Sequence, residues 1–239
     1  MRRVFWGSVL STSIWGGLMA LERRAFLQAM VSRPLVAATV TGLLSGDLRA
    51  GLYVGLVFEL LHLGGASLGG VHSDHETLPA VTGAALAAGI GETLGHESTP
   101  AMWALAILLA APTGPVGRRL ERRLDERARR YFGRVTADDP GALARASRQN
   151  LRAMWPVFVF NGLVCAAFAA AGPLVARLEA VLPLPALRGL AWAYPAIAAV
   201  AAATSVYGSH VKGRYLVASL AAGAVSAVAL AVWYGGRLP

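Results

Sequence analysis

The chain has 239 residues, 56% of them hydrophobic and only 15% charged, whereas soluble domains are usually about one quarter charged. Together with a mean hydropathy of +0.53, this excludes an ordinary soluble domain and points to a membrane. The formal charge of +9 is concentrated, since half of the 22 basic residues lie between Arg118 and Arg152, so no nucleic-acid-binding face and no nucleic-acid partner is expected. The single cysteine, Cys165, lies inside an apolar run; it excludes a disulfide framework and reads as a small buried residue.

In chain order, Arg2 and Arg3 precede an apolar stretch from Val4 to Leu21. A basic start of this kind also fits a signal peptide. No small-x-small cleavage site closes it, however, and Trp6 and Trp15 are bulky for a removable core, so a retained helix is expected. From Pro34 to Leu94 the apolar sequence is interrupted by eleven glycines and carries Asp47, Glu59, His62 and Asp74. Non-helical backbone at membrane depth is tolerated only beside protein or a water-filled cavity, so this half is where a transport pathway is expected. The competing reading is that the glycines only allow close helix packing.

Ordinary spans follow at Met102 to Val116 (a short one), Ala153 to Ala176, Gly189 to Tyr207 and Tyr215 to Tyr234, judged against the roughly 20 apolar residues a crossing needs. Between them, Arg118 to Arg152 is polar. Leu120, Leu124 and Tyr131 recur among arginines in the pattern of an amphipathic surface helix. Its eleven arginines against five acids put this segment on the cytoplasmic side. Lys212 and Arg214 then fall inside and the C-terminal tail outside. Arg2 and Arg3 oppose Arg23 and Arg24 across the first helix, so the side of the N-terminus stays open. The basic segment is expected to attract anionic lipid headgroups, or to dock an acidic soluble partner. The fold class is therefore all-α, a polytopic transmembrane helical bundle with broken or re-entrant helices in its N-terminal half. It forms one membrane domain, 1–239, made of an N-terminal part (1–117), a basic cytoplasmic loop (118–152) and a C-terminal part (153–239).

An ionisable side chain inside an apolar segment costs several kcal/mol unless it is paired or faces water, which makes it a functional candidate. Glu59 follows eight uncharged residues and would need a dedicated partner if its role were structural. Asp74 follows a glycine run, Gly64 to Gly70, whose turn can present it to the same cavity. Such carboxylates suit a sugar, because they accept paired hydroxyl hydrogen bonds while apolar or aromatic walls cover the rest of the ligand. Glu59 and His62 also have Glu-x-x-His spacing, with His72, His75 and Glu76 nearby. Glu92, His96 and Glu97 make a poor second set, so neither a metal nor another cofactor is expected. No nucleophile elbow, phosphate-binding loop or dinucleotide fingerprint occurs, and no covalent chemistry is expected of the chain.

Across Gln28 to Asp74 the sequence combines Arg33-Pro34-Leu35, Gly42, Gly46-Asp47, Gly51, Gly55, Glu59-Leu60, Gly64 and Asp74. This combination resembles the signature region of the IIC component of the mannose/fructose/sorbose-family phosphotransferase system. The resemblance implies a non-enzymatic permease subunit of the bacterial inner membrane that binds and translocates a hexose-type sugar, with an elevator-like motion. It implies pairing with a IID-type membrane subunit and phosphorylation of the sugar by soluble IIB, supplied by IIA. The phosphorylated histidines would belong to those partners. Membrane lipids and assembly as an oligomer are further expectations. By the same resemblance Gln28, Glu59 and Asp74 are candidate sugar contacts, while Arg33, Pro34, Gly46, Asp47 and Gly70 shape the broken helices. One departure is Val71-His72-Ser73-Asp74, where the family has a proline-rich approach to the aspartate. Two alternatives are carried alongside: an orphan sugar sensor or scaffold subunit, and a membrane metal-binding protein.

Overall fold

Within lipid a backbone must satisfy its own N–H and C=O groups, and a helix does so inside one segment. The computed structural model of the chain, which describes residues 2–24, 29–63, 75–132 and 141–208, consists of helices: α1 (Arg2–Arg24), α2 (Pro34–Leu44), α3 (Leu48–Leu63), α4 (Thr77–Leu94), α5 (Pro100–Ala110), α6 (Thr113–Phe132), α7 (Ala142–Val181) and α8 (Leu184–Gly208). No strand occurs among the described residues. By length and composition three stretches among the described residues can cross a membrane: Pro100–Arg130, Ala144–Val181 and Leu184–Ser205.

α4 is the axis of the bundle. All fifteen residues from Thr77 to Gly91 are buried, and they are mostly alanine, glycine and threonine. Small side chains allow close approach, and α4 uses this against α7. A methyl group on Gly172 would lie 2.8 Å from the carbonyl carbon of Gly89, so the two backbones meet directly. α1 runs antiparallel to α7, with Gly17 under Phe158 and the Ser13 hydroxyl donating to Gly162 O at 3.0 Å. On the other flank, α3, α5 and α8 enclose an aromatic group. Trp103 stacks on Tyr53 with ring centroids 4.2 Å apart and meets Tyr194 edge-on at 5.2 Å.

α2 and α3 form a hairpin shorter than its surroundings. With 11 and 16 residues they rise about 16 and 24 Å, against a hydrocarbon core of about 30 Å. Their turn, Ser45-Gly46-Asp47, places Gly46 at φ 79°, a conformation in which glycine avoids the steric cost of a Cβ. The helices pack backbone to backbone: a methyl on Gly51 would lie 2.4 Å from Ala38 O. Contacts along α1 measure the hairpin's reach. At its base Ser32 N–H donates to Glu22 Oε2 at 3.0 Å, and at its tip the Ser45 hydroxyl lies 3.5 Å from that of Thr12. Glu22 and Thr12 are separated by about 15 Å of helix, so the hairpin accompanies only part of α1.

The expected spans Ala153 to Ala176 and Gly189 to Tyr207 lie inside α7 and α8, while Tyr215 to Tyr234 lies outside the described residues. In the basic stretch over 118–152 the expected amphipathic helix is present as α6. α6 continues from α5 after the turn at Ala111-Pro112, and α7 begins at Ala142, so most of the stretch is helical. Helix nucleation is costly and propagation cheap. Leu124 packs with Ala20 and Val157, beside Leu120 and Leu21, which gives the α6 extension a tertiary anchor.

Candidate functional site

At the base of the hairpin Glu59 has two partners. Its Oε1 lies 2.9 Å from Arg33 Nη2 and its Oε2 accepts the Leu35 backbone N–H at 3.2 Å. Pro34 is the first residue of α2, so Leu35 is one of the donors that a helix start leaves without an internal partner. The α3 carboxylate thereby caps α2 and adds favourable charge at its N-terminus. Glu59 retains 15% side-chain exposure and Arg33 41%, so the pair borders open space. A carboxylate has lone pairs beyond these two bonds and can accept hydroxyl hydrogens as well.

At the tip Asp47 plays a comparable part. Oδ1 accepts Ala50 N–H at 2.9 Å, capping α3, and Oδ2 accepts Ser98 N–H at 2.8 Å, tying the hairpin to the α4–α5 connection. Arg33, Pro34, Gly46 and Asp47 thus all lie at ends of the two short helices. Gln28, Gly70 and Asp74, together with His72, lie outside the described residues. Of the proposed sugar contacts only Glu59 can be seen, and its neighbours are Arg33 and α2.

His62 Nδ1 donates to Phe58 O at 2.8 Å. Among the described residues no group of three or more potential metal ligands occurs. His75, one of the nitrogen donors weighed for a metal, is 1% exposed and wedged against Gly117. Its Nδ1 accepts Leu78 N–H at 3.2 Å near the start of α4. Its Nε2 lies 4.0 Å from Glu121 Oε1, an oxygen that also accepts from Arg23 Nη1 at 2.7 Å. Arg24 pairs with Asp125 beside it. Burial away from water, reinforced by the positive charge of Arg23, pushes the His75 imidazole down to about 3.

Two buried carboxylates drew no notice from sequence. Glu22, in the Leu-Glu-Arg-Arg run that closes α1, looks interfacial, yet it is 4% exposed and holds the segment entering α2. Glu179, near the end of α7, is 6% exposed, and its Oε2 has no hydrogen-bond partner. It borders a cavity of about 300 Å³ with His96, Thr99 and Arg188. The available signal for Glu179 was its place in an otherwise apolar helical turn, Ala176 to Val181, beside a single arginine.

Among the described residues, three stretches long and apolar enough to cross a membrane, packed with a short glycine-seamed hairpin, define a multi-pass integral membrane protein. The family model described as the PTS system sorbose-specific IIC component matches residues 6–207, and the chain belongs to that family. This bears out the resemblance carried by residues 28–74. Over 85 residues the chain is 35% identical to the PTS system sorbose-specific EIIC component of Klebsiella pneumoniae, covering 36% of this chain and 29% of that one. Over 79 residues it is 34% identical to the mannose-specific EIIC component of Escherichia coli (strain K12), covering 33% of this chain and 28% of that one. The matched stretch therefore spans less than a third of each curated relative. A solved structure titled only as a membrane protein shares the fold at a TM-score of 0.62 and 19% identity, with 100% of this chain and 97% of that one covered.

Proposed function

We propose that the chain is the sugar-conducting subunit of a mannose-family phosphotransferase system in a bacterial inner membrane. It binds a hexose-type sugar and moves it across, beside a IID-type membrane subunit. Soluble IIA and IIB carriers then supply the phosphoryl group on the cytoplasmic side, and the chain has no phosphorylation site of its own. Family membership supports the class. The observation that carries the site is the short α2–α3 hairpin, whose base holds a partly exposed carboxylate, Glu59, on the element leading towards Asp74. In this reading Gln28, Glu59 and Asp74 accept or donate hydrogen bonds to sugar hydroxyls, and Arg33 keeps Glu59 aimed between transport cycles.

The test is sugar uptake and phosphorylation in cells or proteoliposomes supplied with IID and IIB. Glu59→Gln and Asp74→Asn should each lower uptake roughly ten- to a hundredfold, the range for losing a hydrogen bond to a charged group. Unchanged uptake in both variants removes the assignment. Arg33→Gln separates a sugar contact from a structural clasp. A contact predicts that Glu59→Gln raises KM well beyond Arg33→Gln at similar thermal stability, whereas a clasp predicts parallel losses in both quantities.

A further inference from the structure

Beside the contact of Leu124 with Ala20 and Val157 lie the later part of α6 and the part of α7 before Val157. The gap between them and the end of α1 is a cavity of about 250 Å³. Arg24, Arg127 and Arg152 line it together with Asn150, and Leu124 and Met154 contribute apolar lining. Among the described residues no acid lines this cavity. Arg24 is paired with Asp125, but Arg127 and Arg152 have no hydrogen-bond or ion-pair partner among the described residues. Guanidinium groups gathered in one concavity repel one another, and their planar forks match the oxygens of a phosphodiester.

We propose that this pocket binds the headgroup of an anionic phospholipid from the leaflet on the side of the basic segment. The arginines take the phosphate, Asn150 offers an amide to the glycerol oxygens, and Leu124 and Met154 meet the upper part of the acyl region. That apolar lining favours a lipid over free phosphate, which would use only the arginines. A basic pocket between helices at the membrane edge is a recognised setting for such headgroups. The proposal sharpens a general attraction of a basic surface into one site, and it stands independently of which solute the hairpin handles.

The experiment is titration of the purified full chain in detergent with phosphatidylglycerol or phosphatidylcholine, with bound lipid counted by native mass spectrometry. The wild-type protein should retain phosphatidylglycerol preferentially. Arg127→Gln/Arg152→Gln should weaken its binding about tenfold or more, while Arg119→Gln/Arg123→Gln, which removes the same charge from exposed α6 positions outside the pocket, should change it less than about twofold. Lysine at both pocket positions should restore part of the affinity. Equal retention of the two lipids by wild type overturns the proposal without recourse to any variant. So does an equal loss from the control pair, which would mean a diffuse field, or displacement of the lipid by millimolar inorganic phosphate, which would mean a soluble anion site.

Discussion

α4 and the outer helices α7 and α8 are all apolar, yet the first is buried along most of its length and the other two are largely exposed. α4 is buried along fifteen consecutive residues although it is built mainly of alanine, glycine and threonine. The spanning stretches of α7 and α8 are only 33% and 22% buried, and they leave Leu163, Leu174, Trp192 and Val200 exposed. In water this would be a poor arrangement. In lipid, where the solvent is as apolar as leucine, hydrophobicity does not sort helices into core and surface. What sorts them is fit: Gly89 can accept Gly172 at backbone contact, and bulky side chains cannot.

Truncating the largest buried side chain should break this contrast most strongly. Trp103 is 1% exposed, packs on two tyrosines and donates from Nε1 to Ser98 Oγ at 2.6 Å. Trp103→Ala should cost about 3–5 kcal/mol, while Leu163→Ala on the exposed face of α7 should stay within about 0.5 kcal/mol. Thermal unfolding of the detergent-solubilised protein measures both.

The next effect comes from adding bulk instead of removing it. Valine at Gly51 would push into Ala38 O and Thr39 Cα, both backbone atoms, so Gly51→Val should destabilise by roughly 1–3 kcal/mol or more. The larger swap Ala196→Leu, at an exposed α8 position, should be nearly silent. If the two behave alike, the hairpin seam is looser than its geometry.

The smallest of the three effects tests the charged end of α4. His75 is held neutral at about 3, against an ordinary 6.5. A depressed histidine leaves stability intact above 6.5, and stability is lost progressively as pH falls from there towards 3, because the unfolded chain takes up the proton first. Glu121, Arg23, Arg24 and His62 are the charged or titratable groups acting on it. By pH 5 the loss should reach about 2 kcal/mol, seen as a falling Tm. His75→Gln should flatten that slope; a slope unchanged by the substitution would move the titration elsewhere.

Class and family were legible in the chain itself, because they rest on local signals. Long apolar runs need no partner to be read as membrane helices, and the spacing from Arg33-Pro34 through Gly46-Asp47 to Glu59 is contained in one short stretch. The interior of α7 and α8 was legible for the same reason. The amphipathic helix of the basic stretch was legible from the spacing of Leu120 and Leu124, but not its partners Ala20 and Val157, which lie on other helices.

The sequence by itself determined a bundle of helices for lipid, with polar groups set among glycines in its first half. Only the tertiary structure decided what those groups touch. Glu59 meets Arg33 and Leu35 across a hairpin, Asp47 reaches Ser98 from 51 residues away, and Glu22 secures Ser32. The physical reason is range. Helix formation and membrane partition are summed over neighbours in the chain, whereas an ion pair or a glycine contact is set by the docking of helices that the chain joins only through distant turns.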